Sequence, residues 1–274
     1  MKRLIFTALF GAAAIGAHAQ SKTIITKTTT TTTVTGNDST KTTKSHTMVR
    51  IGHPDSDSTR RAKSKKPGFS MSLTFTRFDL GLTTLLDNGS FKLSPKNDFL
   101  NYRSWKTSNV GFDVFQAGYR FTPTFKTYIA GGFDWELIRL RNDITILRDP
   151  DQSALKYTND PVDYSKDRFS SAYLRIPIMF DFRSNDNHSG DHWSYVFGPE
   201  LGVLLTGRMK QISDQYGKQK MNYPYHFTPF RYGAVARVGH GGFGIFAKYY
   251  FNDMFDTQAQ KGLKNVSFGF TVGF

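Results

Sequence analysis

Eleven charged residues fall on the polar side of segments that otherwise alternate with apolar residues: Arg77, Asp79, Asp113, Asp134, Glu136, Arg175, Asp181, Glu200, Arg231, Arg237 and Lys248. Six are acidic and five are basic. Carboxylates and cations brought together in this way can move protons, line an ion path, or hold one another as buried ion pairs. The near balance of sign favours the third use, because each charge removed from water needs a partner. Glu136, Arg175, Glu200 and Arg237 are the expected members of an interior charge network.

Catalytic alternatives are thin. A lipid-modifying enzyme would need a serine, a histidine and an acid in mutual reach. His226 is the histidine placed for that role, in a tyrosine-rich stretch with Tyr223 and Tyr225, but the chain has no G-x-S-x-G elbow. His188 and His192, with Asp186 and Asp191, have the spacing of a metal site, yet the surrounding Ser-Asn-Asp-Asn-His-Ser-Gly reads more simply as a polar turn. His240 opens another turn, and His46 and His53 lie in a low-complexity stretch. Residues 239–244, Gly-His-Gly-Gly-Phe-Gly, lack the Lys-Ser/Thr of a phosphate loop and open no helix, so a tight hairpin is expected. The expectation is a non-enzyme with no catalytic residues, no cofactor and no metal.

Composition narrows the class. The 274 residues include 24 Gly, 25 Phe and 13 Tyr. Glycine and aromatic enrichment at moderate hydropathy suits a β protein with interfacial girdles. After the N-terminus no apolar run reaches the length of a membrane helix, which leaves strands as the means of crossing a bilayer. There is no cysteine, and so no disulfide, thiolate ligand or thiol nucleophile. The net charge of +14 resembles a nucleic-acid signature. Its distribution argues against one: residues 1–67 carry 12 Lys/Arg and 3 Asp, net +9, and residues 68–274 carry 24 Lys/Arg and 19 Asp/Glu, net +5. No nucleic-acid partner is expected.

Residues 1–19 read as a signal peptide: Lys2 and Arg3, an apolar stretch over 4–15, then Ala17-His18-Ala19 as the cleavage site. Residues 20–67 form a low-complexity periplasmic tether, with an unbroken threonine run at 28–33 and a basic end at 60–66. Too little apolar surface is present there to offset the entropy of ordering the chain. Its cations could meet anionic envelope polymers or headgroups. Asp38-Ser39-Thr40 and Asp57-Ser58-Thr59 match a short O-glycosylation acceptor pattern.

The charged residues need positioning elements, and residues 68–274 supply eight alternating segments. They span residues 69–85, 107–120, 126–140, 169–183, 192–208, 229–239, 243–252 and 264–274. In the last, Val266, Phe268, Phe270, Val272 and Phe274 alternate with Asn265, Ser267, Gly269, Thr271 and Gly273. A strand points such residues to opposite faces, one apolar and one small and polar. Connections after the first, third, fifth and seventh segments are long, and those after the second, fourth and sixth are short. Sorted lengths of this kind belong to outer-membrane barrels, with short periplasmic turns and long outer loops. The fold expected is all-β: an eight-stranded antiparallel transmembrane up-and-down barrel, with both ends periplasmic. Eight strands enclose a space that side chains fill, so the charges become a plug in the lumen.

Five stretches carry a family resemblance: Arg77 to Leu85, Gly131-Gly132-Phe133-Asp134-Trp135, Tyr173-Leu174-Arg175-Ile176-Pro177-Ile178, Pro229-Phe230-Arg231-Tyr232-Gly233, and the terminal Phe. Together they resemble the PorT-like outer-membrane β-barrel family of Bacteroidota, over residues 68–274. The resemblance implies an assembly signal in the last strand, Phe268, Phe270 and Phe274, read by the barrel-assembly machinery. A structural or partner-binding role is expected, with the long extracellular loops making the contacts; the resemblance implies a link to secretion or envelope assembly, and outer-membrane lipids and an envelope or surface protein are the further expected partners. A small channel, a lipid-modifying barrel enzyme and a soluble periplasmic β protein are the alternatives.

Overall fold

A computed structural model describes residues 67–184 and 192–273. The expected signal peptide, almost all of the tether, and Asp186, His188, Asp191 and Phe274 lie outside the described residues. The strands, in chain order, are β1 (Gly68–Asp87), β2 (Ser108–Thr122), β3 (Phe125–Arg139), β4 (Ile144–Ile146), β5 (Tyr157–Asn159), β6 (Lys166–Arg183), β7 (Trp193–Ser213), β8 (Gly217–Asn222), β9 (Phe230–His240), β10 (Phe243–Tyr250) and β11 (Leu263–Val272). Two short 3-10 turns, Pro95–Leu100 and Ser104–Lys106, lie between β1 and β2.

Eight of these strands form a closed ring. Around it run β1, β2, β3, β6, β7, β9, β10 and β11, and β11 returns to β1, every neighbour antiparallel. Closure leaves no sheet edge, which is the condition for strands to span hydrocarbon. The other three strands are outgrowths. β4 and β5 pair only with each other, and β8 folds back on the end of β7, from Arg208 to Ser213.

Period-two alternation sorts the ring's side chains. Outward lie Phe180, Phe182, Tyr195, Phe197, Tyr232, Ile245, Phe268 and Phe270, all exposed. A continuous apolar surface of this extent is not that of a soluble monomer. Along β6 the apolar outward file runs from Phe182 to Ala172, about ten residues and thus roughly 25 Å once tilted. That is the height of an outer-membrane apolar band. Inward lie the charged residues, small residues, a few aromatics, and the aliphatic Met179, Val196 and Val235.

The ring strands begin and end within a few residues of their expected limits, with one extension. β7 runs on to Ser213, five residues past the expected end at 208. Beyond Arg208 the outward side chains are Lys210 and Ile212, so a cation breaks the apolar file while hydrogen bonding to β8 continues. One residue changes face. Pairing with β6 skips Leu205, a bulge that turns Thr206 outward beside Ala172, although unbroken alternation from Glu200 and Gly202 puts it on the polar, inward face. β5 and β8 carry no apolar rhythm of their own and β4, Ile-Thr-Ile, is too short to show one, so none of the three was expected.

Closure depends on two inward glycines that face each other, Gly81 of β1 and Gly269 of β11. A Cβ on Gly81 would lie 2.3 Å from the Phe268 carbonyl oxygen and 2.9 Å from the Phe246 ring. Gly81→Val is therefore expected to abolish the folded barrel, read as loss of heat-modifiable migration in gels. Gly68→Val, at a position with nothing within 4 Å of its Cβ, should fold as the parent does. Equal yields of the two variants would refute this account of closure.

Candidate functional site, a charged lumen beneath an apolar cap

The inward charges fall into two joined clusters. In the first, Asp79 of β1 is the hub. Its Oδ2 accepts from Arg175 Nη1 at 2.6 Å and from Arg237 Nη2 at 2.8 Å. Arg175 also donates through Nε to Asp113 Oδ1 at 2.8 Å. In the second, Asp134 of β3 accepts from Arg231, from Lys248 Nζ at 2.7 Å and from Asn109 at 3.1 Å. Arg231 reaches on to Glu136 Oε1 at 2.7 Å, and Asn265 donates to the same oxygen. Glu200 Oε1 accepts from Tyr250 at 2.6 Å and lies 3.2 Å from Lys248. Arg175 Nη1, 3.8 Å from Asp134 Oδ1, links the clusters.

Of the four residues singled out in the sequence, Arg175 and Arg237 meet on Asp79, whereas Glu136 and Glu200 belong to the second cluster. None of these four touches another of the four directly; Asp79, Asp134, Arg231 and Lys248 connect them. Lys126 is a lumenal cation that alternation alone did not bring to notice. It faces inward opposite Asp181 near the short-turn end. Arg77 sits at the same end, bonded to Tyr128 and, through Nε, to the Gly273 carbonyl at 3.2 Å.

Space for these long side chains comes from glycine. A Cβ on Gly111 would lie 2.4 Å from Arg175 Nη1, and one on Gly202 would lie 2.7 Å from Arg231 Cγ. Arg231 is further held between two rings, its guanidinium carbon 3.7 Å from the Tyr173 centroid and 4.0 Å from that of Tyr250. A guanidinium stacked between aromatic faces is stabilised beyond its ion pairs.

Above the charges the long connections close the lumen. All four contribute to one apolar cluster: Phe99, Leu100 and Tyr102 from the first, Leu140, Ile144, Ile146 and Leu155 from the second, Tyr225 and Phe227 from the third, and Met254 and Phe255 from the fourth. Leu85, Phe169, Met209 and Leu263 rise from the strands to meet them. Phe169 stacks on Phe227 at 4.7 Å between centroids, and Phe227 on Phe255 at 4.9 Å. The long connections are thus a folded cap with its own core, and not only partner-contacting loops.

His226 belongs to this cap. Its Nε2 lies 2.6 Å from the Asp149 carbonyl oxygen, which can only accept, so Nε2 carries the proton. Its own carbonyl accepts from Asp256 N at 2.7 Å, so the residue ties together three of the long connections. Nearby, Lys156 bridges Asp149 at 2.8 Å and Asp151 at 3.2 Å. Hydrogen bonds from Ser153, then from Lys156, hold the Asp151 carboxyl down at about 2, and the two aspartates raise Lys156 above its ordinary value. At the opposite end residues 239–244 form a hairpin turn, with Gly241 and Gly242 at φ +58° and +93°. Among the described residues, no three metal-ligating side chains converge.

The two clusters make a sharp contrast with the lumen's edge. Asp134→Ala would leave Arg231, Lys248 and Arg175 short of a carboxylate in a water-poor interior. A loss of about 3–5 kcal/mol is expected, seen as a lower urea midpoint of the detergent-folded protein. Asp181→Ala should cost less, because it lies at the lumen's edge, where its partner Arg183 is partly exposed. Similar midpoints for the two variants would show that the network does not carry the lumen's stability.

Residues 77–256 match the family described as outer membrane protein beta-barrel domain. No curated protein matches the chain. The matched span runs from Arg77 in β1 to Asp256 beyond β10 and takes in every charged hub of both clusters. Closed ring, outward apolar band and polar interior agree with that assignment: the chain belongs to the outer-membrane β-barrel domain family and is a protein of the outer membrane.

Proposed function

We propose that this barrel is a non-enzymatic, non-conducting protein that presents its cap to a partner in the cell envelope. The observation that carries the reading is the cap's apolar core, drawn from all four long connections above an already charge-filled lumen. Two successive closures oppose a channel. A core of its own also makes the cap a rigid platform, and three aromatics stand exposed on it: Trp105 at 88 %, Phe91 at 69 % and Tyr216 at 57 %. Large exposed aromatics on a rigid support are the side chains that anchor protein interfaces. In this reading the cap faces outward, and the tether and the C-terminus face the periplasm. The PorT-like motifs of β1, β3, β6 and β9 point to a partner belonging to a secretion or envelope-assembly apparatus of Bacteroidota.

Two measurements test this. Planar-bilayer recording of the full chain should show no steady conductance; a steady current would overturn the closed-lumen reading. A photo-crosslinking residue at position 105 should trap a discrete protein adduct on intact cells, whereas one at Ile129, on the outward membrane face, should trap lipid alone. Absence of an adduct at 105 would remove the partner-binding role.

The final strand is proposed to be read by the barrel-assembly machinery. Phe270 is 72 % exposed and contributes little to the barrel's interior. Phe270→Ala should therefore refold in detergent with parental yield yet accumulate several-fold less in the outer membrane. Parental accumulation in cells would show that the residue is not part of the signal.

A further inference from the structure

The outward face carries one feature that neither the lumen nor the cap explains. Above the apolar band, Arg139 of β3 pairs directly with Arg168 of β6, Arg168 with Lys210 of β7, and Lys210 with Lys220 of β8. Four cations thus stand shoulder to shoulder across four strands. One step nearer the long connections, Lys166 and Lys218 flank Ile212, and one step nearer the band lies Arg208. Like charges directly opposite one another destabilise a sheet. Among the described residues no carboxylate comes within ion-pair distance of Arg139, Arg168, Lys166 or Lys210. The Nε atoms of Arg139 and Arg168 are buried and without a hydrogen-bond partner. On β9 and β10 the outward positions at this end are instead Phe230, Tyr232 and Tyr249, and β11 contributes the single cation Lys264.

Immediately below the row is a cleft of about 280 Å³. Arg168 and Arg208 form its upper wall, and Val110, Trp135 and Leu137 form the apolar side. The row begins four residues beyond Ala172 along β6, so it lies on the order of 10 Å past the end of the apolar band, at headgroup depth. Cations above and acyl-sized apolar surface below match an amphiphile with its anionic group uppermost.

We propose that the outward face of β3, β6, β7 and β8 is a binding site for a phosphate-bearing lipid of the leaflet beside the cap. The phosphate sits on Arg168, Lys210 and Arg139, and an acyl chain lies along Trp135 and Leu137. The lipid's negative charge supplies Arg168 and Lys210 with the compensation that the chain gives only to Arg139, through the nearby Asp167 and Asp143. Free phosphate would satisfy the cations but has nothing to place against the apolar side.

The test uses the full chain in phosphatidylcholine nanodiscs doped with phosphatidic acid, with retained lipids counted by native mass spectrometry. Phosphatidic acid should be retained in clear excess over its bulk fraction. Each interfacial cation is worth about fivefold in such attraction, so the Arg168→Gln/Lys210→Gln double variant should lose roughly twenty-five-fold. In neutral detergent that variant should resist heat at least as well as the parent, since it removes like-charge repulsion; a lower melting temperature there would mean that the row serves the fold and would overturn the proposal. Retention equal to the bulk fraction, or unchanged in the variant, would also overturn it. Inorganic phosphate at millimolar concentration should not displace the lipid; full displacement would replace the lipid assignment with a simple anion site.

Discussion

The structure depends on the burial of opposite charges inside a ring too narrow for water to solvate them fully. An eight-stranded barrel has little interior volume, and here that volume holds Asp79, Asp113, Asp134, Glu136 and Glu200 against Arg175, Arg231, Arg237 and Lys248. Taking such groups out of water is costly, and only mutual pairing offsets the cost. This requirement sets the glycines at 111 and 202, where any larger residue would meet an arginine. It also explains the tyrosines at 173 and 250, which give Arg231 two ring faces where no further carboxylate is available.

The cap obeys a different rule. Its residues pack as a small hydrophobic core at the end of a membrane protein, where water rather than lipid is the surrounding solvent. Apolar side chains that face lipid on the barrel wall gain little by association, whereas those above the membrane gain the full benefit of leaving water. Phe169 and Met209 therefore turn inward from strands whose apolar residues lower down turn mostly outward, with Met179 and Val196 the inward exceptions. The same change of solvent is visible on the outer face of β6, where the apolar file ends at Ala172 and Arg168 of the rim follows four residues on. The cap's packing supports a partner-presenting surface, and the rim's charge supports a lipid contact. Neither role calls on the lumen, which serves to keep the platform upright and closed.

Much of the barrel was legible in the sequence because period-two alternation is a direct image of a wall between lipid and a polar interior. Phe180 and Phe182 against Asp181, or Phe268 and Phe270 against Gly269, could be assigned to faces from spacing alone. Where the wall ends, so does the signal. β8, with the sequence Gly-Lys-Gln-Lys-Met-Asn, has no apolar side and pairs only because a hairpin brings it onto β7. Alternation puts Thr206 on the wrong face because a bulge changes the phase without leaving a mark in residue type.

By itself, then, the sequence determined that eight strands alternate, that their connections sort by length, and that charges of both signs share one face. These are one-dimensional consequences of a two-dimensional sheet. Only the tertiary structure decided which charge meets which. Asp79 and Arg237 are 158 positions apart, and Asp134 and Lys248 are 114 apart. Such pairs face each other across the ring, and residues on one face of eight strands are equivalent in sequence until shear and register set them at a common height. The row of Arg139, Arg168, Lys210 and Lys220 is the outward counterpart. Each is an ordinary surface cation in the chain, and only the register of four strands makes them neighbours.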